Sequence, residues 1–261
     1  EEKKIVQKFV SSPRWNKKIR YSIGTDPDKS ADTAYMKAAG FTGIPKIFLI
    51  GKNGIIEWIG HPKDIDPVLK QVLENTWDRI AFKESMKEEF AFEQKFADLK
   101  EKYNETLKKN DWSIAISQLD EMVALDATHK GEHRNDIQIK KFKLLLAKTG
   151  HTQKAYEYLA SILREVWDDS NHLNDIAWFI ATENGVRSRR LDTALKIALQ
   201  ASDLTKGKDA PILDTVARIY YEQGNLDVAI MWQQRSVQHA KGKTLDSVGE
   251  TLKKYESEKR K

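Results

Sequence analysis

The sequence predicts a chain in two parts, a small α/β segment over residues 1–76 followed by an all-α helical solenoid over residues 77–261. Three observations carry this. Runs rich in β-branched residues occur only before Trp77. An Asn53-Gly54 pair stands between two apolar runs, a hairpin signal because both residues adopt positive φ readily. Beyond Trp77, four segments align on Ala115, Ala155, Ala194 and Ala229, which lie 40, 39 and 35 residues apart. A period in that range, built from paired helices, marks a helical solenoid.

Each element follows from local chemistry. Residues 19–24 read as a first strand, ending at the turn Asp26-Pro27-Asp28. Ser30 is placed to cap a helix that runs to Ala39 and stops at Gly40. Residues 46–50 form a second strand and residues 55–59 a third, joined through Lys52-Asn53-Gly54. Asp66 then caps a helix with Pro67 at its first position, carrying Val68, Leu69, Val72 and Leu73 on one face. From Ile80 to about Lys109 the apolar residues Phe96, Leu99, Tyr103 and Leu107 recur at helical spacing.

The repeats that follow use a small residue so that the second helix of each pair can approach the first. Gly150 and Gly224 end the preceding helices in the left-handed conformation. The third unit carries an insertion at residues 184–189. Residues 244–259 are placed to form a polar helix that closes the last repeat.

Composition narrows the function. The chain is 40% apolar and 32% charged, with a net charge of +5. Both signs alternate, and residues 253–261 stand out as a basic tail suited to a helix C-terminus. No aromatic residues interleave with a basic stripe, so no nucleic-acid partner is expected. No apolar run is long enough to span a membrane. With no cysteine, the chain has no disulfide, thiolate metal site or cysteine nucleophile of its own. It begins Glu-Glu-Lys-Lys with no visible targeting signal, as a chain cut from a longer precursor would.

The ordered set Gly43-Ile44-Pro45, Ile47-Phe48-Leu49-Ile50, Lys52-Asn53-Gly54 and Trp58-Ile59-Gly60-His61-Pro62 resembles the later half of a thioredoxin-like domain. It is most similar to the exported TlpA/ResA group of thiol–disulfide oxidoreductases and neighbouring redoxins. Residues 214–230 resemble the tetratricopeptide repeat, and bacterial proteins joining the two parts look similar throughout. The resemblance implies an incomplete α/β thioredoxin-like fold lacking its first two strands, then a tetratricopeptide-like solenoid. It also implies a cis bond before Pro45, with the main chain of Ile44 pairing to an extended substrate segment. The family's Cys-x-x-Cys pair would lie upstream, so residues 2–11 are the remainder of its helix. The strands left here would present unpaired edges, as in a fragment or in a half-domain completed by a second chain.

By that resemblance the parent is a periplasmic or exported oxidoreductase that uses no cofactor, and this chain alone is redox-inactive. Trp178, Tyr220 and Tyr221 fall on the first helices of repeat pairs, the face that would receive a protein or peptide partner. A non-catalytic binding scaffold and a peroxiredoxin-like parent are the competing readings.

Other constellations have plainer roles. His129, Glu132 and His133 have zinc-like spacing, but Gly131 between them reads as a loop. Asp26, Asp28, Asp64 and Asp66 sit in turn or cap settings. His61 follows a strand end and is expected at the surface. Trp77, Trp112, Trp167, Trp178 and Trp232 fall mostly on apolar helical faces, where packing accounts for them.

Overall fold

The computed structural model describes residues 2–15, 17–41 and 43–260. The chain divides into two compact units, Glu1–Ala91 and Phe92–Lys261. The first contains helix α1 (Glu2–Val10), strands β1 (Ile47–Ile50) and β2 (Ile56–Gly60), and helix α2 (Ile65–Leu73). The division falls within helix α3 (Arg79–Lys108).

In the first unit β1 and β2 form an antiparallel pair, with Leu49 opposite Trp58 and a bulge beside Ile50. The hairpin is closed as Asn53-Gly54 predicts. Gly54 takes φ 77°, the Gly51 amide donates to the Ile55 carbonyl, and Asn53 Oδ1 accepts from the Ile55 amide.

Three expectations are corrected. Residues 19–24 form no strand, with a bend at Tyr21, and join no sheet, because a strand needs a neighbouring ladder and none of the described residues supplies one. Ser30 caps nothing. The Asp26 carboxylate accepts from the amides of Ala31 and Asp32, heading a short wide-turn helix, Asp32–Lys37. Those backbone bonds hold the Asp26 carboxyl below its ordinary range, with the Asp32 amide contributing most. The third correction concerns α2, which starts two residues before Pro67, after a 3-10 turn at Pro62–Asp64 whose cap is His61, Nδ1 accepting from the Lys63 amide.

Burial separates the two units. Among the described residues of the first, Trp58 is the one large apolar side chain that is fully buried, at 6% exposure. Leu69 and Leu73, placed with Val68 and Val72 on one face, remain exposed. The Trp58 indole folds back over Gly60, so that a methyl group on Gly60 would occupy the space of the ring. Gly60→Ala is therefore expected to displace Trp58 at about 1–3 kcal/mol. Amide exchange should speed up along β1 and β2 and stay unchanged in the second unit. Unaltered exchange at Ile47–Ile50 would refute this packing.

The second unit is helical. After α3 come α4 (Trp112–Ala127), α5 (Arg134–Ala147), α6 (Thr152–Ile162), α7 (Ser170–Thr182), α8 (Leu191–Leu204), α9 (Ala210–Glu222), α10 (Leu226–His239) and α11 (Lys243–Lys259). Helices α4 to α6 and helices α7 to α11 each pack on their sequence neighbours, and α7 packs on both α5 and α9, as in a solenoid. Ala115, Ala155, Ala194 and Ala229 all have zero exposure, so the small side chain does sit where helices approach. Gly150 and Gly224 take φ 73° and 79°, and Asn110 takes φ 57° in the equivalent turn. Phe96, Leu99, Tyr103 and Leu107 of α3 pack on Ala115, Leu119 and Met122 of α4. The larger core runs from Ile139 of α5 to Ile219 of α9. Helix α11 closes the end of the array, burying Val248 and Tyr255.

Candidate functional site

In the first unit, Ile44 and Pro45 lie in the bend entering β1, and the bond between them is cis. Both are exposed, Ile44 to 89%. Lys46 lies over the Phe41 ring at 4.2 Å, and Phe48 meets Tyr35 edge-on at 5.2 Å. The bend is anchored on its strand side, and the Ile44 side chain reaches into solvent.

In the second unit, the structure separates the three aromatic candidates by environment. Trp178 on α7 is 39% exposed. Tyr220 is half-buried between the main core and a smaller cluster formed by α9, α10 and α11. Tyr221 stacks on Tyr255 with centroids 4.5 Å apart, and its hydroxyl donates to Glu258 Oε2 at 2.9 Å. That carboxylate holds the Tyr221 phenol above its ordinary range. Tyr221 is thus engaged by α11, and among the described residues no ring contact joins Trp178 to either tyrosine. Trp167 is exposed as well, whereas Trp112 and Trp232 pack against the cores.

The start of α7 is fixed by residues that carry no sequence motif. Asp169 Oδ1 accepts from the amides of Asn171 and His172 at 2.9 and 3.0 Å. The His172 ring lies between two carboxylates, Nε2 at 3.1 Å from Asp136 and Nδ1 at 3.0 Å from Asp169. Lys143 of α5 reaches Asp175 of α7 at 2.6 Å. Asp136 and His172 are 36 positions apart, so only the stacking of α5 on α7 brings them together.

The backbone bond from His172 is the main cause that holds the Asp169 carboxyl below its ordinary range. Fewer protons bind it folded than unfolded, so its stabilisation is full above the ordinary carboxylate range and is lost as the pH falls through the lowered value. Asp169→Ala should cost about 1 kcal/mol at neutral pH and nothing once the pH is below both values. Urea midpoints at the two pH values measure this, and a pH-independent deficit would contradict it.

The remaining candidates have structural surroundings. His129 and His133 lie in the loop before α5, His129 stacked on Phe92 at 4.2 Å and His133 tilted against Phe96 at 4.9 Å. Among the described residues no group of three or more His, Cys, Asp or Glu side chains is placed to hold a metal ion. No described helix is long and apolar enough to cross a membrane. No protein-family model matches this chain, and no curated protein matches it in sequence.

Proposed function

We infer that the chain is the C-terminal portion of a bacterial thioredoxin-like thiol–disulfide oxidoreductase joined to a tetratricopeptide-type protein-binding array. The observation that carries this reading is the order of elements after Pro45. Strand, Asn53-Gly54 hairpin, antiparallel strand and helix are followed by paired helices with a buried alanine in each pair. In this reading a Cys-x-x-Cys pair outside the chain performs the exchange, its thiolate attacking a substrate disulfide to form a mixed disulfide. The main chain of Ile44, with Pro45, forms a wall against which an extended substrate segment lies. The helical array holds a protein partner on the face of α7 and α9, with Trp178 on α7 as the accessible aromatic contact and Tyr220 and Tyr221 carried by α9. A second chain completing the α/β part and a periplasmic or exported setting belong to the same reading.

The test joins sequence and activity. The coding frame upstream of Glu1 is expected to contain Cys-x-x-Cys, and the longer protein to reduce insulin disulfides while this chain does not. A natural start close to Glu1, or a cysteine-bearing parent that leaves insulin intact, would overturn the proposal. A second reading, a cysteine-free binding scaffold, is favoured by the concentration of buried apolar side chains in the helical unit. A start near Glu1 would establish it in place of the first.

A further inference from the structure

The insertion at residues 184–189 is packed down onto the helical unit. Val186 is buried at 4% exposure, and its amide donates to the Glu183 carbonyl, which also accepts from Arg189 Nη2 at 2.9 Å. Glu183 Oε1 in turn accepts from the Gly185 amide at 3.3 Å. Gly185 lies so close to the end of α5 that a methyl group there would stand 3.0 Å from the Ala147 carbonyl oxygen. The inserted loop is thus held against α5.

Between this loop and the turn from α5 to α6 lies a cavity of about 260 Å³. Its lining includes Lys148, Thr149, Gly150, Thr152, Gly185 and Arg187, and no carboxylate. Lys148 lies over the Trp112 ring at 5.8 Å. Among the described residues neither Lys148 nor Arg187 enters an ion pair or donates a side-chain hydrogen bond. Two uncompensated cations at one small cavity give it a positive potential. Neutral donors are present as well. The amides of Thr149 and Gly150 and the Thr152 hydroxyl donate to no group among the described residues, whereas the Thr149 hydroxyl is spent on the Leu145 carbonyl. Gly150 takes φ 73°, and unpaired amides in such a turn suit an anion.

We propose that this cavity binds the phosphoryl group of a small phosphomonoester. A phosphomonoester carries close to two negative charges and three acceptor oxygens, which match two cations and a set of neutral N–H and O–H donors. A carboxylate has one charge and leaves one cation unpaired. The volume lies below the range of about 300–1,000 Å³ typical of sites for drug-sized ligands, so the organic part is a few carbons. None of the lining residues belongs to the redox reading or to the aromatic partner face, so insulin reduction and phosphomonoester binding fail independently.

The test is isothermal titration calorimetry of the 261-residue chain with glycerol 3-phosphate. Saturable binding at one site is expected, with glycerate binding at least about tenfold more weakly. Lys148→Ala and Arg187→Ala should each weaken glycerol 3-phosphate at least about tenfold, by removing a charge-assisted hydrogen bond. Both side chains are exposed, so an unchanged circular dichroism melt accompanies either variant. Lys196→Ala removes an exposed cation outside the cavity and should leave binding unchanged. The proposal is overturned by absence of saturable binding, by equal affinity for glycerate, or by undiminished binding in both cavity variants. It is also overturned by an equal loss in Lys196→Ala, which would mark diffuse charge attraction, or by tighter binding of a phosphoserine peptide, which would mark a protein ligand.

Discussion

Phe142→Ala is expected to lower the unfolding free energy of the helical unit by about 3–5 kcal/mol. Phe142 is fully buried and meets Tyr156 and Phe179 edge-on, at centroid distances of 6.3 and 6.4 Å. It therefore joins α5 to both α6 and α7, and truncation leaves a cavity that three helices must close together. In a solenoid each repeat contacts only its neighbours, so losing one interface term weakens the coupling between the two ends of the array. Urea unfolding followed by circular dichroism should show a lower midpoint and a broader transition. A loss below about 1 kcal/mol would place the ring outside the packed core.

The second large effect concerns the closing helix. Tyr255 has zero exposure, stacks on Tyr221, and has a hydroxyl with no hydrogen-bond partner among the described residues. Burial is the main cause that pushes its phenol well above the ordinary range. Tyr255→Ala removes the ring that α11 inserts against α9 and α10, at a cost of about 3 kcal/mol. Tyr255→Phe keeps the ring and deletes the unpartnered hydroxyl, so it should be neutral or stabilising by up to about 1 kcal/mol. Hydrogen exchange along α11 distinguishes them, fast in the alanine variant and unchanged or slower in the phenylalanine variant. Equal protection in both would show that the ring does not hold α11 in place. The same deletion also leaves Tyr221 without its stacking partner.

The array was the more legible part of the chain. Helical spacing of Phe96, Leu99, Tyr103 and Leu107 located α3 and its buried side, and the recurring alanines located the helix contacts. These signals are local, or repeat at a fixed interval, and the structure puts each of them at an interface. Capping was less legible. Asp26 captured the amides at the helix start where Ser30 was placed as cap, because a carboxylate four residues before Ser30 can turn back across a short loop. Half of the His172 clasp left no mark in sequence, since Asp169 is the cap of the same helix but Asp136 comes from α5.

Residues 19–24 show the limit from the other side. Their alternation of apolar and polar side chains has strand character, yet strand formation is a property of a pair and not of a segment. By itself the sequence determined the elements whose hydrogen bonds close within themselves: the helices, their glycine turns and the Asn53-Gly54 hairpin. Tertiary structure alone decided which extended run finds a ladder, which aromatic side chains remain in solvent and which carboxylates meet His172. Those outcomes depend on backbone and side-chain partners far apart in the chain, whose proximity packing creates.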